Sequence, residues 1–487
     1  AIVVLQKAGA GLPDPAEEVI GLVNAETAVQ MSAILFLLRE ELDSVSPMLA
    51  KRINTALNER IFKPYLSRND FWWMGFTGQP VNNWNVWINQ NIFQAALLSD
   101  LSADSINRVM EKVFRSTDFF VNQYPDDGGC DEGPAYWSLA GGKLIRLLTL
   151  AGEVSGGRLR WPGNELLHRM GRYILEVHID GSYFVNFADA TSRSFPNPEA
   201  VYRYGVAFDD AGLRLFAANL LRQSPRFSAE KSITDFIEIA TVYKELQSIS
   251  GDAPASPYHF FTDMGVYTMR SADNRLYTAV KAGNNGESHN HNDVGNFIVY
   301  SSGRPVIVDA GVGVYTAQTF SDRRYELWNM QSQWHNCPTI NGVMQRDGKN
   351  FKAEAVSAAA AGKTVTVSMD IAGAYPSAAA VARWQRTFRF DRAKAKLVLT
   401  DRFRLATRKD ATSLHFMSCA KPVETGEGWM VFTGADGKLV LRMHYDAKKM
   451  SVKVEEKLMD DDRLKASWGD RLYRLTLTVT DASLQQY

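Results

Sequence analysis

The spacing of apolar side chains changes character once along this chain. Before about residue 250 it is helical. Over 17–42, apolar residues recur three and four positions apart at Val19, Leu22, Val23, Ile34, Leu35 and Leu38, as on one face of an amphipathic helix. Pro47 can open a second helix to about 66, because a helix's first turn has no use for the N–H that proline lacks. The same spacing continues over 88–98, 106–121, 139–154, 165–177, 212–221 and 233–246. Many such helices joined by rich loops predict an (α/α) toroid or helical array with a loop-lined cleft. The stretch 250–257, Ser-Gly-Asp-Ala-Pro-Ala-Ser-Pro, marks a boundary. Beyond it the period is that of strands, over 267–270, 276–280, 364–369, 384–390, 397–403, 439–443, 452–454 and 472–479, with turn residues between. Residues 358–361 are only a short alanine run. The pattern predicts a multidomain α+β chain: a toroid over 1–252, then an antiparallel β-sandwich over 258–487.

Composition narrows the function classes. With 487 residues, 45% of them hydrophobic, the chain can bury more than one core. Its 54 basic and 54 acidic residues cancel, so nothing global points to nucleic acid or an anionic membrane. No apolar run approaches the ~18 residues of a membrane span. The opening residues 1–5 are too short for a signal peptide and lack an initiator methionine, so a processed or trimmed chain is expected. Cys130, Cys337 and Cys419 form no CxxC, which argues against a disulfide framework or a cysteine-rich zinc module.

Candidate chemistry in the second half gathers at Ser288-His289-Asn290-His291-Asn292-Asp293. Read as extended chain, this places His289 and His291 on one face, about 7 Å apart. The apolar run 295–300, the turn 301–305 and the return strand 306–308 bring the chain back to Asp309. His335 follows in Gln-Trp-His-Asn-Cys. His291, Asp309 and His335 are the expected ligands of one zinc ion, leaving a fourth position for water. A lone histidine is more often just a polar residue; three candidates around one hairpin carry more weight. His289 is expected to face a cleft, where an imidazolium could neutralise an anionic substrate group.

The first half holds two further constellations. Asn82-Asn83-Trp84-Asn85-Val86-Trp87 combines amides with flat aromatic faces, which suit sugar hydroxyls and rings. Asn82, Trp84 and Trp87 are candidate substrate contacts; a capped helix start with core tryptophans is the plainer reading. Residues 125–137 carry Asp126, Asp127, Asp131 and Glu132 just before a helix, where acids ordinarily stabilise the N-terminus. The alternative is a glycosidase-like pair, Asp127 with Asp131 or Glu132. Tyr136 is sharper: a phenol with an ordinary pKa of about 10 becomes an acid/base group beside a cation.

The Ser-His-Asn-His-Asn-Asp run, the hairpin to Asp309 and Trp334-His335-Asn336 together resemble the heparinase II/III-like polysaccharide lyases. The resemblance implies a toroid joined to antiparallel sheet, a structural zinc on His291, Asp309 and His335, and β-elimination on anionic uronic-acid polysaccharides. It implies a periplasmic or secreted enzyme. It places Asn83 at the asparagine that neutralises the uronate carboxylate, Tyr136 at the catalytic tyrosine, His289 at the cleft-facing histidine and Tyr325 at a second tyrosine near the cleft. Glu132 and Arg324 join Asn82, Trp84 and Trp87 as expected substrate contacts. The family's histidines after the paired asparagines and after the tyrosine are Trp84 and Trp137 here. Tryptophan cannot take a proton from carbon, so a base at position 84 is excluded. Tyr136 would then serve as both base and acid, which favours syn elimination and a glucuronate-like sugar; Tyr325 or His289 is the alternative second catalytic group. Two rivals are a toroid glycoside hydrolase and a non-catalytic carbohydrate-binding protein.

Overall fold

The computed structural model describes residues 18–223, 232–434, 438–481 and 483; the expectations for residues 1–5 and Glu17 lie outside them. Two compact units form. A helical unit comprises Ala1–Cys130, Tyr136–Arg172 and Pro196–Pro254, and a β unit comprises Asp131–Ala135, Tyr173–Phe195 and Ala255–Tyr487. Two short segments from the helical half of the sequence thus belong to the β unit, and both matter to the site below.

In the helical unit, the helix expected over 17–42 is broken. Leu22–Leu37 and Arg39–Val45 meet at Leu38 with a bend of 84°. The run Ile34-Leu35-Phe36-Leu37-Leu38 is apolar all round, so its spacing cannot define one helix axis; Phe36, Leu37 and Leu38 are exposed. Pro47–Leu57 begins at Pro47 as expected, with the Ser46 hydroxyl accepting from Met48 N. Asn83–Leu97, Ala103–Gln123, Gly141–Val154, Glu165–Glu176, Ala211–Gln223 and Ile233–Ser248 cover the other expected helices. Pro198–Ala207 is an addition, capped by Asn197 and opened by Pro198. Ile88, Ile92 and Phe93 bury one face of their helix, as Val109, Val113 and Phe120 do on the next. Among the described residues no single helix is long and apolar enough to cross a membrane.

The β unit is a sandwich. Among the described residues its larger sheet has nine strands. Eight run in the order Met450–Leu458, Arg471–Val479, Ser413–Ser418, Arg304–Ile307, Phe297–Ser301, Leu276–Lys281, Val266–Arg270 and Tyr258–Phe261, and Pro338–Thr339 pairs with Ser413–Ser418. A four-stranded sheet, Glu354–Ala361, Thr364–Asp370, Val381–Asp391 and Lys396–Leu405, packs against it. Alternation selects the inner face: Val365, Val367 and Met369 are buried, as are Trp384, Phe388 and Phe390. Phe297 of the larger sheet meets Phe388 of the smaller, ring centroids 5.2 Å apart. Each such side chain stabilises the fold by roughly 1.5–3 kcal/mol. The alanine run 358–361 lies in the edge strand, held by pairing with Thr364–Asp370 rather than by any preference of alanine for strands.

One hairpin of the larger sheet leads to the site. Ser301 pairs with Arg304, and between them Ser302 (φ 49°) and Gly303 (φ 73°) are both left-handed. That is the two-residue turn whose twist matches the flanking strands. Arg304–Ile307 then delivers Asp309, as the sequence leads one to expect.

Candidate functional site

Segment 288–293 is not a strand. It is a loop, and His289 adopts a left-handed backbone with φ 55°. The expectation of two histidines sharing a face by strand alternation is therefore corrected. What brings the rings together is a carboxylate from a hundred positions earlier. Asp189 Oδ2 accepts from His289 Nδ1 at 2.8 Å, and its Oδ1 accepts from His291 Nε2 at 3.0 Å.

His291, Asp309 and His335 converge, with one ligand atom from each lying within 4.8 Å of the others, and all three are fully buried. Their second contacts are set by neighbours. His335 Nδ1 donates to Asp309 Oδ2 at 2.9 Å, Asn296 Nδ2 donates to the same oxygen at 2.6 Å, and Gly311 N donates to Asp309 Oδ1 at 2.7 Å. His291 Nδ1 and His335 Nε2 are buried with no hydrogen-bond partner. A buried bare imidazole nitrogen is costly unless something accepts its lone pair. Two of them beside a carboxylate fit a divalent metal of zinc type, and the Asp189 bond to His291 is the outer contact such ligands usually have. The group could therefore hold a metal.

Asn336 anchors the turn that carries His335 by donating to Phe297 O (2.6 Å) and Val308 O (3.0 Å) while accepting from Met417 N (2.7 Å). These bonds tie the segment to the hairpin.

His289 stands apart from that triad. Its Nε2 lies 3.5 Å from Glu132 Oε2, so carboxylates face both ring nitrogens. Burial alone would lower its pKa, but hydrogen bonds to Asp189 and Glu132, with their charges, raise it to about 9. Glu132 is thus drawn to a histidine rather than serving simply as a helix-start acid. Arg324, expected as a substrate contact, is engaged within the protein. It donates to Asp189 Oδ1 at 2.6 Å, to Asn290 O at 3.0 Å and to Thr319 O at 3.1 Å. Tyr325 OH accepts from Asn290 Nδ2 at 3.1 Å, and burial raises its phenol above the ordinary value. Asp189 and Tyr315, whose OH donates to Asp189 Oδ2 at 3.0 Å, were not anticipated. The available hint was one carboxylate in Val185-Asn186-Phe187-Ala188-Asp189-Ala190, an otherwise mostly apolar stretch.

The asparagine-tryptophan motif lies in the helical unit and its members separate by role. Asn82 caps the helix, accepting from Trp84 N at 3.1 Å. Asn85 is a buried strut, donating to Trp73 O at 2.8 Å and to Ser116 O at 3.0 Å. Trp87 Nε1 donates to Glu26 Oε2 at 3.3 Å, and half-buried Trp84 packs tilted on Trp72 at 5.3 Å. Asn83 is buried in the first helical position. Tyr136 is half-buried in the short helix Pro134–Trp137. Asp127 Oδ1 accepts from Gly129 N at 2.8 Å, a turn contact, and Asp131 is exposed.

Residues 253–472 match the family described as Heparinase II/III-like, C-terminal. No curated protein matches the sequence. Solved structures share the fold. A heparinase III gives a TM-score of 0.70 at 14% identity, covering 98% of this chain and 70% of its own. A heparan sulfate lyase from Pedobacter heparinus gives 0.64 at 17% identity, covering 96% and 67%. A chondroitin AC lyase of Streptomyces coelicolor A3, in complex with chondroitin sulphate, gives 0.59 at 12% identity, covering 96% and 74%. The chain spans 65% of a further heparinase III structure.

Proposed function

Residues 253–472 match the heparinase II/III-like C-terminal family, and from that match we propose that the protein is a polysaccharide lyase. Its substrate is a 4-linked uronic-acid polysaccharide, cleaved by β-elimination. The observation that carries this reading is His289, flanked by Asp189 and Glu132. Only a doubly protonated imidazole can donate to both, so the ring is a fixed cation suited to a sugar carboxylate. The likeness of fold to heparinase III and chondroitin AC lyase supports it.

The chemistry follows from the carboxylate. A C5 proton is acidic only when charge spreading onto the adjacent carboxylate is neutralised. Asn83, through its amide, and His289, through its cation, serve that end. Tyr136 as phenolate takes the C5 proton; the C4–C5 double bond forms, the C4–O4 bond breaks, and the Tyr136 phenol returns the proton to O4. One residue can serve both steps when proton and leaving group share a side of the ring. With tryptophan at position 84, syn elimination of a glucuronate-like residue is the favoured course. Tyr325 stays a phenol and, with Asn82, Trp84 and Trp87, is assigned to the sugar's surroundings.

His291, Asp309 and His335 would hold one zinc ion, whose fixed positive charge ties the histidine loop to the hairpin. Such polymers are met outside the cytoplasm, so a periplasmic or secreted location accompanies the proposal.

The test is a screen of uronate polymers for the ultraviolet absorbance of an unsaturated uronate end, with wild type and Tyr136→Phe side by side. Absorbance from wild type and none from the variant is expected. New reducing ends without that absorbance would mean a hydrolase, and retention on polymer without product a binding protein.

A further inference from the structure

Four side chains converge on Asp189, which is fully buried and to which the mechanism above assigns no step. Oδ2 takes His289 Nδ1–H at 2.8 Å and Tyr315 O–H at 3.0 Å. Oδ1 takes His291 Nε2–H at 3.0 Å and Arg324 Nη2–H at 2.6 Å. The backbone is held as well: Arg463 Nη2 donates to Asp189 O at 3.1 Å, and the preceding Ala188 sits at φ 59°. A left-handed alanine costs about 1–2 kcal/mol and persists only where the surroundings enforce it.

The consequence lies in which nitrogen each ring offers. An imidazole that donates Nε2–H to Asp189 presents Nδ1 as a bare lone pair unless it takes a second proton. His291 Nδ1 is the buried nitrogen without a hydrogen-bond partner, on a ring grouped with Asp309 and His335. His289 is bound the other way round, through Nδ1, so that Nε2 is the edge it presents outward, towards Glu132. One rigid carboxylate thus imposes opposite orientations on two rings two positions apart. Turning it to follow either ring pulls on the other.

We infer that Asp189 is the positioning residue of this site: it holds His291 in the form that ligates a metal and His289 with Nε2 outward, and so couples metal occupancy to the setting of His289. The catalytic consequence rests on the lyase reading; the coupling itself does not.

The experiment uses the full chain, Zn2+ and histidine labelled with 15N in the ring, the His289 signals being assigned through His289→Gln. In Asp189→Asn, Nδ2 can only donate, so one histidine loses its acceptor. Zn2+ affinity by chelator competition is expected to fall about tenfold or more, the usual loss when an outer partner of a metal histidine is removed. The His289 ring signals should move in the same variant. Wild type supplies an arm that needs no variant to fold: stripping Zn2+ with a chelator should shift the His289 signals, and restoring it should return them. Zn2+ affinity within about twofold of wild type in Asp189→Asn, or His289 signals indifferent to Zn2+ in wild type, overturns the inference. No readout uses a polysaccharide. Failure to find lyase activity would therefore leave these results standing, and an active lyase with uncoupled histidines would sink this inference alone.

Discussion

Arg386 and Asp401 form a two-pronged ion pair inside the β unit, Nε to Oδ1 at 2.9 Å and Nη2 to Oδ2 at 2.8 Å. The remaining Nη1 of Arg386 donates to Gly295 O and Asn336 O, on segments flanking the histidine loop and His335. The pair therefore braces the two stretches of chain that carry the metal-type ligands. Asp401→Ala leaves a buried guanidinium without its counter-charge, and a loss of about 3–5 kcal/mol is expected. Denaturant unfolding measures it, and a change under about 1 kcal/mol would show that the pair is dispensable.

Zinc, if it sits on His291, Asp309 and His335, stabilises the folded state by mass action. At free Zn2+ about a hundredfold above its dissociation constant the gain is about 2.7 kcal/mol. Thermal unfolding should thus rise on adding Zn2+ to chelator-treated wild type and stay unchanged in His335→Ala. An equal rise in both would place the effect elsewhere.

His415 is buried between two hydroxyls, with Nε2 at 2.7 Å from Thr339 Oγ1 and Nδ1 at 3.1 Å from Thr476 Oγ1. Burial, assisted by the charge of Arg474, pushes its pKa down to about 3. An unfolded histidine takes its proton near pH 6.5. Between about pH 6.5 and 3 the unfolded chain therefore binds a proton that the folded chain refuses. Stability should fall as pH drops through that window, by at most about 1.4 kcal/mol per pH unit from this group. His415→Gln, which keeps a donor and an acceptor, should flatten the slope between pH 6.5 and 4.5. An unchanged slope would assign the acid sensitivity to other residues.

Glu199 is the hub of a buried ionic network in the helical unit. It accepts from Arg146 Nε at 2.7 Å and from Arg203 Nε, while Arg146 also reaches Asp235 at 2.7 Å and Arg203 reaches Glu238 at 2.9 Å. Glu199→Ala removes the fully buried carboxylate shared by Arg146 and Arg203, leaving each only its outer partner, and should cost up to about 3–5 kcal/mol. Far-ultraviolet circular dichroism through a denaturant titration reads this out. Glu153→Ala, on the exposed edge of the same network at 3.7 Å from Arg203, should cost under about 1 kcal/mol.

How far the candidate site could be read in advance depended on how local each relationship was. The hairpin from Phe297 to Asp309 was legible because two apolar runs around Ser302-Gly303 are a turn signal complete within a dozen residues. His335 could be added because its type, not its position, marks a ligand. The asparagine motif was harder. Asn82, Asn83 and Asn85 look alike in a row, but one caps the helix and another braces Trp73 and Ser116. Which amide does which depends on helix phase, and the phase was set by the cap at Asn82 rather than by the apolar residues from Ile88 onward.

The sequence by itself determined the change from helical to strand period near residue 250, several of the strands, the hairpin to Asp309 and the His291, Asp309 and His335 set. Each follows from side-chain period, turn chemistry or ligand type, which act over a few residues. Only the tertiary structure decided that segment 288–293 is a loop with His289 left-handed, that Glu132 and Asp189 belong to the β unit, and that one carboxylate serves both histidines. Asp189 lies 100 positions from His289, and no periodicity spans that distance. Its partners are chosen by packing, which buries the carboxylate where only donors from several distant segments can satisfy it.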